Sequence, residues 1–183
     1  YIHQQYEIAP GAKRPTAEHV SARFADNLKQ FFGGQIGTLL AHPRYRLHVV
    51  TSHGRGLLAR EGRLATPLGY LGAYASNALS RRSLAHWLER VVFSSSTDGA
   101  MAPLPFDADD FRTLQVALDE RNFMPAVQAS CSIPFMLKAV HDIPGAPRGA
   151  YWDGGITDYH LHLDYLSGER DGIVLYPHFQ KQV

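Results

Sequence analysis

One stretch near the C-terminal end constrains the chain more than any other. An apolar run, residues 150–152, leads directly into Asp153, Gly154 and Gly155. The run predicts a buried strand end, and the two glycines predict a tight turn with positive φ. Asp153 then lies where a strand meets a loop, a common place for catalytic groups in α/β proteins. Its apolar neighbours should raise the pKa of the carboxyl group and make it a better proton acceptor. An ordinary hairpin turn is the alternative interpretation of Asp-Gly-Gly.

Two upstream segments give this stretch a context. Residues 129–134 read Ala-Ser-Cys-Ser-Ile-Pro, residues 142–145 read Asp-Ile-Pro-Gly, and residues 151–156 read Tyr-Trp-Asp-Gly-Gly-Ile. This ordered set resembles the C-terminal half of the catalytic domain of patatin-like phospholipases, most clearly over residues 122–159. The Asp-Gly-Gly alone is a weak signal, whereas the order of all three segments is fairly specific.

The resemblance implies a lipid acyl hydrolase that uses a Ser-Asp dyad. In that family a serine on a Gly-x-Ser-x-Gly elbow attacks an ester carbonyl, and the aspartate takes its proton directly. Only the aspartate carries over, to Asp153, with Gly154 and Gly155 setting the turn that holds it. The resemblance further implies a three-layer sandwich around a mostly parallel sheet, a lipid or ester substrate, transient contact with a membrane surface, and neither metal nor organic cofactor. A homo-oligomer is compatible with it.

The nucleophile half of the family pattern is missing from this sequence. No Gly-x-Ser-x-Gly occurs, and no glycine-rich oxyanion loop opens the chain. We therefore expect residues 1–183 to be the C-terminal portion of a single catalytic domain, inactive alone, with the serine outside the chain. Ser52 is the weak substitute candidate: it leaves a predicted strand and Gly54 follows it, but Val50 stands where the elbow needs its first glycine.

Composition excludes several classes of function. Lys and Arg number 18 and Asp and Glu 17, so the net charge of +1 gives no electrostatic case for nucleic acid. A single cysteine, Cys131, excludes an intrachain disulfide and fits a reducing, cytoplasmic compartment, with secretion as the alternative. No apolar run approaches the ~20 residues of a membrane-spanning helix.

The hydrophobic pattern predicts an incomplete α/β domain with a central sheet. Thr16 should begin a helix that ends at Gly33 and Gly34. Further helices are predicted over residues 67–79 and 123–130, and from Ser83 through Val92 with Arg90 on the wet side. Predicted strands lie near Leu47, Leu114, Tyr151 and Val174, the last as a fully apolar run over residues 172–176.

Two rival functions stay open at this point. The missing elbow favours an inactive relative or fragment that binds lipid or a partner chain without turnover. The sequence His160-Leu161-His162, followed by Asp164, instead suggests a metal-dependent hydrolase. Simple alternation, with the leucines inward and the histidines outward, explains the same pattern without a metal.

Overall fold

The computed structural model describes residues 15–62, 65–79, 81–97, 99–158, 163, 165 and 173–175. The fold is mixed α/β, as the sequence predicts. Its helices are α1 (Ala17–Phe32), α2 (Ile36–Leu40), α3 (Ala65–Leu79), α4 (Arg81–Leu84) and α5 (Phe123–Ser130), with short 3-10 helices at Gly56–Ala59 and Gly154–Ile156. None of the helices in these ranges is both long and apolar enough to cross a membrane.

Local sequence explains where α1 begins. The Thr16 hydroxyl accepts a hydrogen bond from the backbone N–H of His19 at 3.2 Å, which satisfies one of the free donors of the first turn. Gly33 follows the last residue, as predicted, and its N–H donates to the Lys29 carbonyl. The bounds of α5 also match the prediction, although Asn122 makes no side-chain cap. Its amide instead donates to the carbonyls of Ala117 and Pro144.

Seven strands form two sheets in the described residues. The larger sheet has five strands in the order β5-β2-β1-β7-β6, and β3 and β4 form a separate ribbon. The strands are β1 (His48–Gly54), β2 (Leu88–Ser94), β3 (Ser96–Thr97), β4 (Ala100–Met101), β5 (Thr113–Ala117), β6 (Val140–His141) and β7 (Ala150–Asp153). The candidate acid therefore ends a strand that lies beside β1, inside the sheet.

The prediction of a mostly parallel sheet is wrong for these residues. Only β2 and β5 run parallel, whereas β1–β2, β1–β7 and β6–β7 are antiparallel. The reason lies in the connection between β1 and β2. Gly54, the last residue of β1, pairs with Leu88, the first of β2, so the intervening helices return the chain to the end that it left. A parallel pair needs a crossover to the opposite end of the sheet.

The helix predicted from Ser83 through Val92 is also wrong. Helix α4 ends at Leu84, and Leu88 begins β2, all seven residues of which are buried. Because apolar side chains cover this strand on both faces, its sequence lacks the alternation that marks a half-exposed strand. Arg90, predicted to face water, is completely buried.

The strand predicted over residues 172–176 does not form where the structure can be described. Residues 173–175 lie outside any strand, and Ile173 is 99% exposed; positions 172 and 176 fall outside the described ranges. An apolar run favours burial, but a strand also needs a neighbour whose backbone groups pair with it. None of the described strands pairs with these residues.

Two hydrophobic clusters lie on opposite faces of β2, since successive side chains of a strand alternate. The first joins Val91 and Phe93 to β1, β7 and α5, through residues that include Val49, Tyr151, Phe123, Ala126 and Ala129. The second joins Leu88 to α3 and α4, through Leu58, Ala73, Leu84 and Phe111. Tyr151 of β7 belongs to the first cluster, and Ile156, in the turn after β7, packs against the second.

Candidate functional site

The end of β7 holds the backbone of Asp153 firmly. Its N–H donates to the Ser132 carbonyl at 3.1 Å, just after α5. Its side-chain Oδ1 accepts a hydrogen bond from the Gly155 N–H at 2.6 Å, across the 3-10 turn that follows. These two contacts fix both the strand end and the carboxylate, so the acid lies at a defined position between α5 and the turn.

The electrostatic environment of Asp153 agrees with the expectation from its neighbours. The side chain is half-buried, and that burial raises the pKa of the carboxyl group, while the hydrogen bond from Gly155 opposes the shift. Desolvation penalises the charged form more than one backbone donor stabilises it. The carboxylate is therefore more basic than an ordinary aspartate, as a proton acceptor requires.

The two glycines act differently from the prediction. Neither takes a positive φ; the left-handed conformation falls on Gly56, Gly99, Gly145 and Gly149 instead. Gly154 is needed for space, because a Cβ there would lie 2.5 Å from the Val50 carbonyl oxygen on β1. Gly155 supplies the N–H that binds the carboxylate. The turn is tight because it packs against β1.

Ser52 lies beside Asp153 but contacts its backbone. The Ser52 hydroxyl is completely buried, donates to the Asp153 main-chain oxygen at 2.9 Å, and lies 3.1 Å from the Thr157 hydroxyl. In the register of β1 and β7, Ser52 is opposite Trp152, and Thr51 is opposite Asp153. Opposed residues share a face and successive ones alternate, so Ser52 and Asp153 leave the sheet on opposite faces. Ser52 is held as a structural hydroxyl.

A buried ion pair, which the sequence did not predict, fixes the far end of the turn. Arg90 donates from Nε and Nη2 to the two carboxylate oxygens of Asp158, each at 2.7 Å, and from Nη1 to Asp110 at 3.1 Å. The Asp158 N–H in turn donates to the Gly154 carbonyl. Arg90 therefore anchors the turn that follows Asp153 to β2. The hydrophobic pattern did not predict this role, because it placed Arg90 on the solvent-exposed face of a helix.

Two cavities flank this end of β7. The polar cavity, about 290 Å3, is lined by residues that include Glu61, Thr66, Lys138 and Trp152. The apolar cavity, about 420 Å3, is lined by Tyr70, Ala73, Leu84, Leu88, Pro134 and Ile156, and Phe135 lines both. Asp153 lines neither cavity, but its charge helps to raise the pKa of Tyr70, which lines the apolar one, so the acid lies near a cleft rather than on a remote hairpin tip.

Two donors at these cavities have no acceptor among the described residues. They are the Tyr70 hydroxyl and the Trp152 indole N–H, both buried. The two rings make an edge contact with centroids 5.8 Å apart. Buried polar atoms are almost always hydrogen-bonded in folded proteins, so two neighbouring exceptions point to a missing ligand atom. The sequence placed Trp152 in the apolar run before Asp153 and Tyr70 in a predicted helix, but no pattern marked either one as a donor to a ligand.

Two ionisable side chains are close enough to sense the Asp153 charge. Burial raises the pKa of the Tyr70 phenol, and the charges of Glu61 and Asp153 raise it further. Cys131 is an exposed residue, yet its thiol is desolvated enough that its pKa rises, again with a contribution from Asp153. The space in front of the carboxylate therefore carries negative potential.

The proposed metal ligands His160, His162 and Asp164 lie outside the described residues. Within the ranges that the structure does describe, no three His, Cys, Asp or Glu side chains are grouped as a metal site.

Comparisons with protein-family models, curated proteins and solved structures gave no match to this chain.

Proposed function

We propose that this chain is the acid-bearing part of a patatin-like lipid acyl hydrolase with a Ser-Asp dyad. In this proposal residues 1–183 are the C-terminal portion of the catalytic domain, and the family's three-layer arrangement belongs to the complete domain. The observation that carries the proposal is the half-buried Asp153 carboxylate with a raised pKa, close enough to the apolar cavity that its charge helps to raise the pKa of Tyr70 there. An acyl hydrolase needs that combination of a basic carboxylate and an apolar site for the acyl chain.

Asp153 accepts the proton of the attacking serine hydroxyl, and the serine oxygen forms a bond to the ester carbonyl carbon. The carbonyl π electrons move to the oxygen, which backbone N–H groups stabilise. Collapse of this intermediate expels the alcohol, which recovers the proton from Asp153. Water then attacks the acyl-serine ester in the same way, with Asp153 accepting its proton, and the free acid is released. The serine comes from outside these residues, because Ser52 is enclosed and hydrogen-bonded.

Exposed apolar side chains near the cavities support contact with a lipid surface. Leu68 and Leu71 on α3, together with Phe135, have more than half of their surface exposed. Phe135 also adopts a φ of 68°, a left-handed conformation that costs energy for a bulky residue. Exposed apolar patches often mark the part of a protein that contacts a membrane surface.

The alternative is a module that binds an amphiphile without turnover. The enclosed Ser52 and the two unpartnered donors favour it, because they provide a binding site without a nucleophile. The two proposals differ only in whether a serine hydroxyl lies close enough to Asp153 to be deprotonated and to attack the ester.

The test is ester hydrolysis by this chain extended with the residues encoded before Tyr1. We expect hydrolysis of a p-nitrophenyl ester, and a loss of about a hundredfold or more in kcat for Asp153→Asn, since a general base contributes roughly that factor. Asp26→Asn is the matched control, because Asp26 is an exposed carboxylate on α1. Equal activity of the two variants would reject the dyad, and absence of turnover in the parent would leave only the binding module.

A further inference from the structure

We infer that Tyr70 and Trp152 form a binding site for the carbonyl oxygen of a neutral amphiphile whose alkyl chain fills the apolar cavity. In assigning an ester as the natural ligand, this inference rests on the proposed function; the binding site itself follows from the geometry alone.

The first support is the hydrogen-bonding state of the two side chains. Trp152 is 1% exposed and lines the polar cavity, while its indole N–H has no acceptor among the described residues. Tyr70 lines the apolar cavity, and its buried hydroxyl likewise has no hydrogen-bond partner among the described residues. An indole can only donate, so its complement is an oxygen acceptor. The two unmet donors lie on rings in edge contact, which places them at neighbouring points of the two cavities.

The second support is the division between the cavities. Glu61, Thr66 and Lys138 line one, and Lys138 is held there by an ion pair with Glu61 at 3.2 Å. Aliphatic side chains dominate the other. Since Phe135 lines both, one molecule can place a polar end against Trp152 and an alkyl chain against Leu84 and Leu88. The combined space is within the usual size of small-molecule sites.

The third support is charge, which selects between possible acceptors. The Tyr70 phenol lies close enough to Glu61 and Asp153 that both carboxylates raise its pKa. A carboxylate ligand at the same donors would meet the charge of Asp153, whereas Lys138 offsets that of Glu61 through their ion pair, and in a partly desolvated site the repulsion from Asp153 is weakly screened. A neutral ester or ketone carbonyl accepts the same hydrogen bonds without the repulsion. The site should therefore take the ester and reject the free acid.

The test measures binding without turnover to the purified chain by calorimetry. Dodecyl methyl ketone supplies a carbonyl that cannot be hydrolysed, dodecanoate supplies a charged acceptor, and dodecane supplies none. At mildly alkaline pH, we expect the ketone to bind more tightly than either dodecanoate or dodecane. Asp153→Asn should strengthen dodecanoate binding, because it removes one repelling charge. Equal affinity for ketone and dodecane would overturn the inference, and so would tighter binding of dodecanoate than of the ketone.

The variant Tyr70→Phe shows whether the Tyr70 hydroxyl binds a ligand or stabilises the fold. Without ligand this variant should melt about 2–6 °C higher, because it removes an unpaired buried hydroxyl. Its affinity for the ketone should nevertheless fall by about threefold to tenfold, the value of one hydrogen bond. The matched control is Tyr151→Phe, whose hydroxyl donates to the Pro147 carbonyl at 2.6 Å. This control should melt lower and bind the ketone as the parent does.

A lower melting temperature for Tyr70→Phe, or unchanged ketone affinity in it, would contradict the inference. Failure of the proposed function is distinguishable: ketone binding without ester hydrolysis in the extended chain rejects catalysis and keeps the site. Ester hydrolysis without selective ketone binding rejects this site and keeps the dyad.

Discussion

Replacing Asp158 with asparagine tests how the turn after Asp153 is held. The side chains of Arg90 and Asp158 are 0% and 2% exposed, and two hydrogen bonds of 2.7 Å join them. Asparagine keeps the shape but removes the charge and one of the two acceptor oxygens. Arg90 then stays buried with Asp110, which is 42% exposed and a weaker partner.

Breaking a buried pair from one side costs about 3–5 kcal/mol, because the remaining charge stays desolvated. Since Asp110 still faces Arg90, we expect the lower end, about 3 kcal/mol. Domains of this size lose about 2–4 °C per kcal/mol, so Tm should fall by about 6–12 °C. That loss is a large part of a typical stability of about 5–15 kcal/mol.

Urea unfolding followed by circular dichroism measures this change directly. Asp110→Asn is the matched control, and it should cost about 1 kcal/mol or less because Asp110 is partly solvated. The double variant Arg90→Met, Asp158→Leu should recover part of the loss, since it removes both charges of the buried pair. The reasoning fails if Asp158→Asn loses no more stability than Asp110→Asn.

Three further predictions concern the strand end itself. Gly154→Ala should destabilise the fold by about 1–3 kcal/mol in urea titrations, because its Cβ would overlap the Val50 carbonyl; an unchanged midpoint would mean that the turn can relax. Ser52→Ala should lose about 1 kcal/mol of stability while the extended chain keeps its ester hydrolysis, and loss of hydrolysis would make Ser52 the nucleophile. Because folding raises the Asp153 pKa, its contribution to stability is fully present below the unfolded pKa and is lost as pH rises through the folded one. Asp153→Asn should therefore be more stable than the parent at neutral pH, with a flatter dependence on acid pH, and a parallel pH profile would contradict this.

Local signals were enough to predict the elements that bear the acid. Thr16 and Gly33 bound α1, and the apolar run before Asp153 forms β7. The same apolar environment gives the carboxyl group its raised pKa. These features depend on neighbours in sequence, which is why pattern and composition predict them.

Features that depend on distant partners were not predictable. The spacing of Leu84, Leu88 and Val91 suits a helix, but cores on both faces of β2 make a fully buried strand more stable there. Arg90 can be buried because Asp158, 68 residues away, and Asp110 supply the opposite charge. The antiparallel pairing of β1 with β2 likewise depends on the position at which the intervening helices return the chain to the sheet. No local pattern carries that information.

Titration of the Asp153 carboxyl carbon by NMR in the purified chain tests the central claim most directly. The account predicts a midpoint above 3.8, the ordinary value for an aspartate, because burial outweighs the hydrogen bond from Gly155. A midpoint at or below that value would mean that the carboxylate is stabilised as an anion, and it would contradict a role for Asp153 as the proton acceptor.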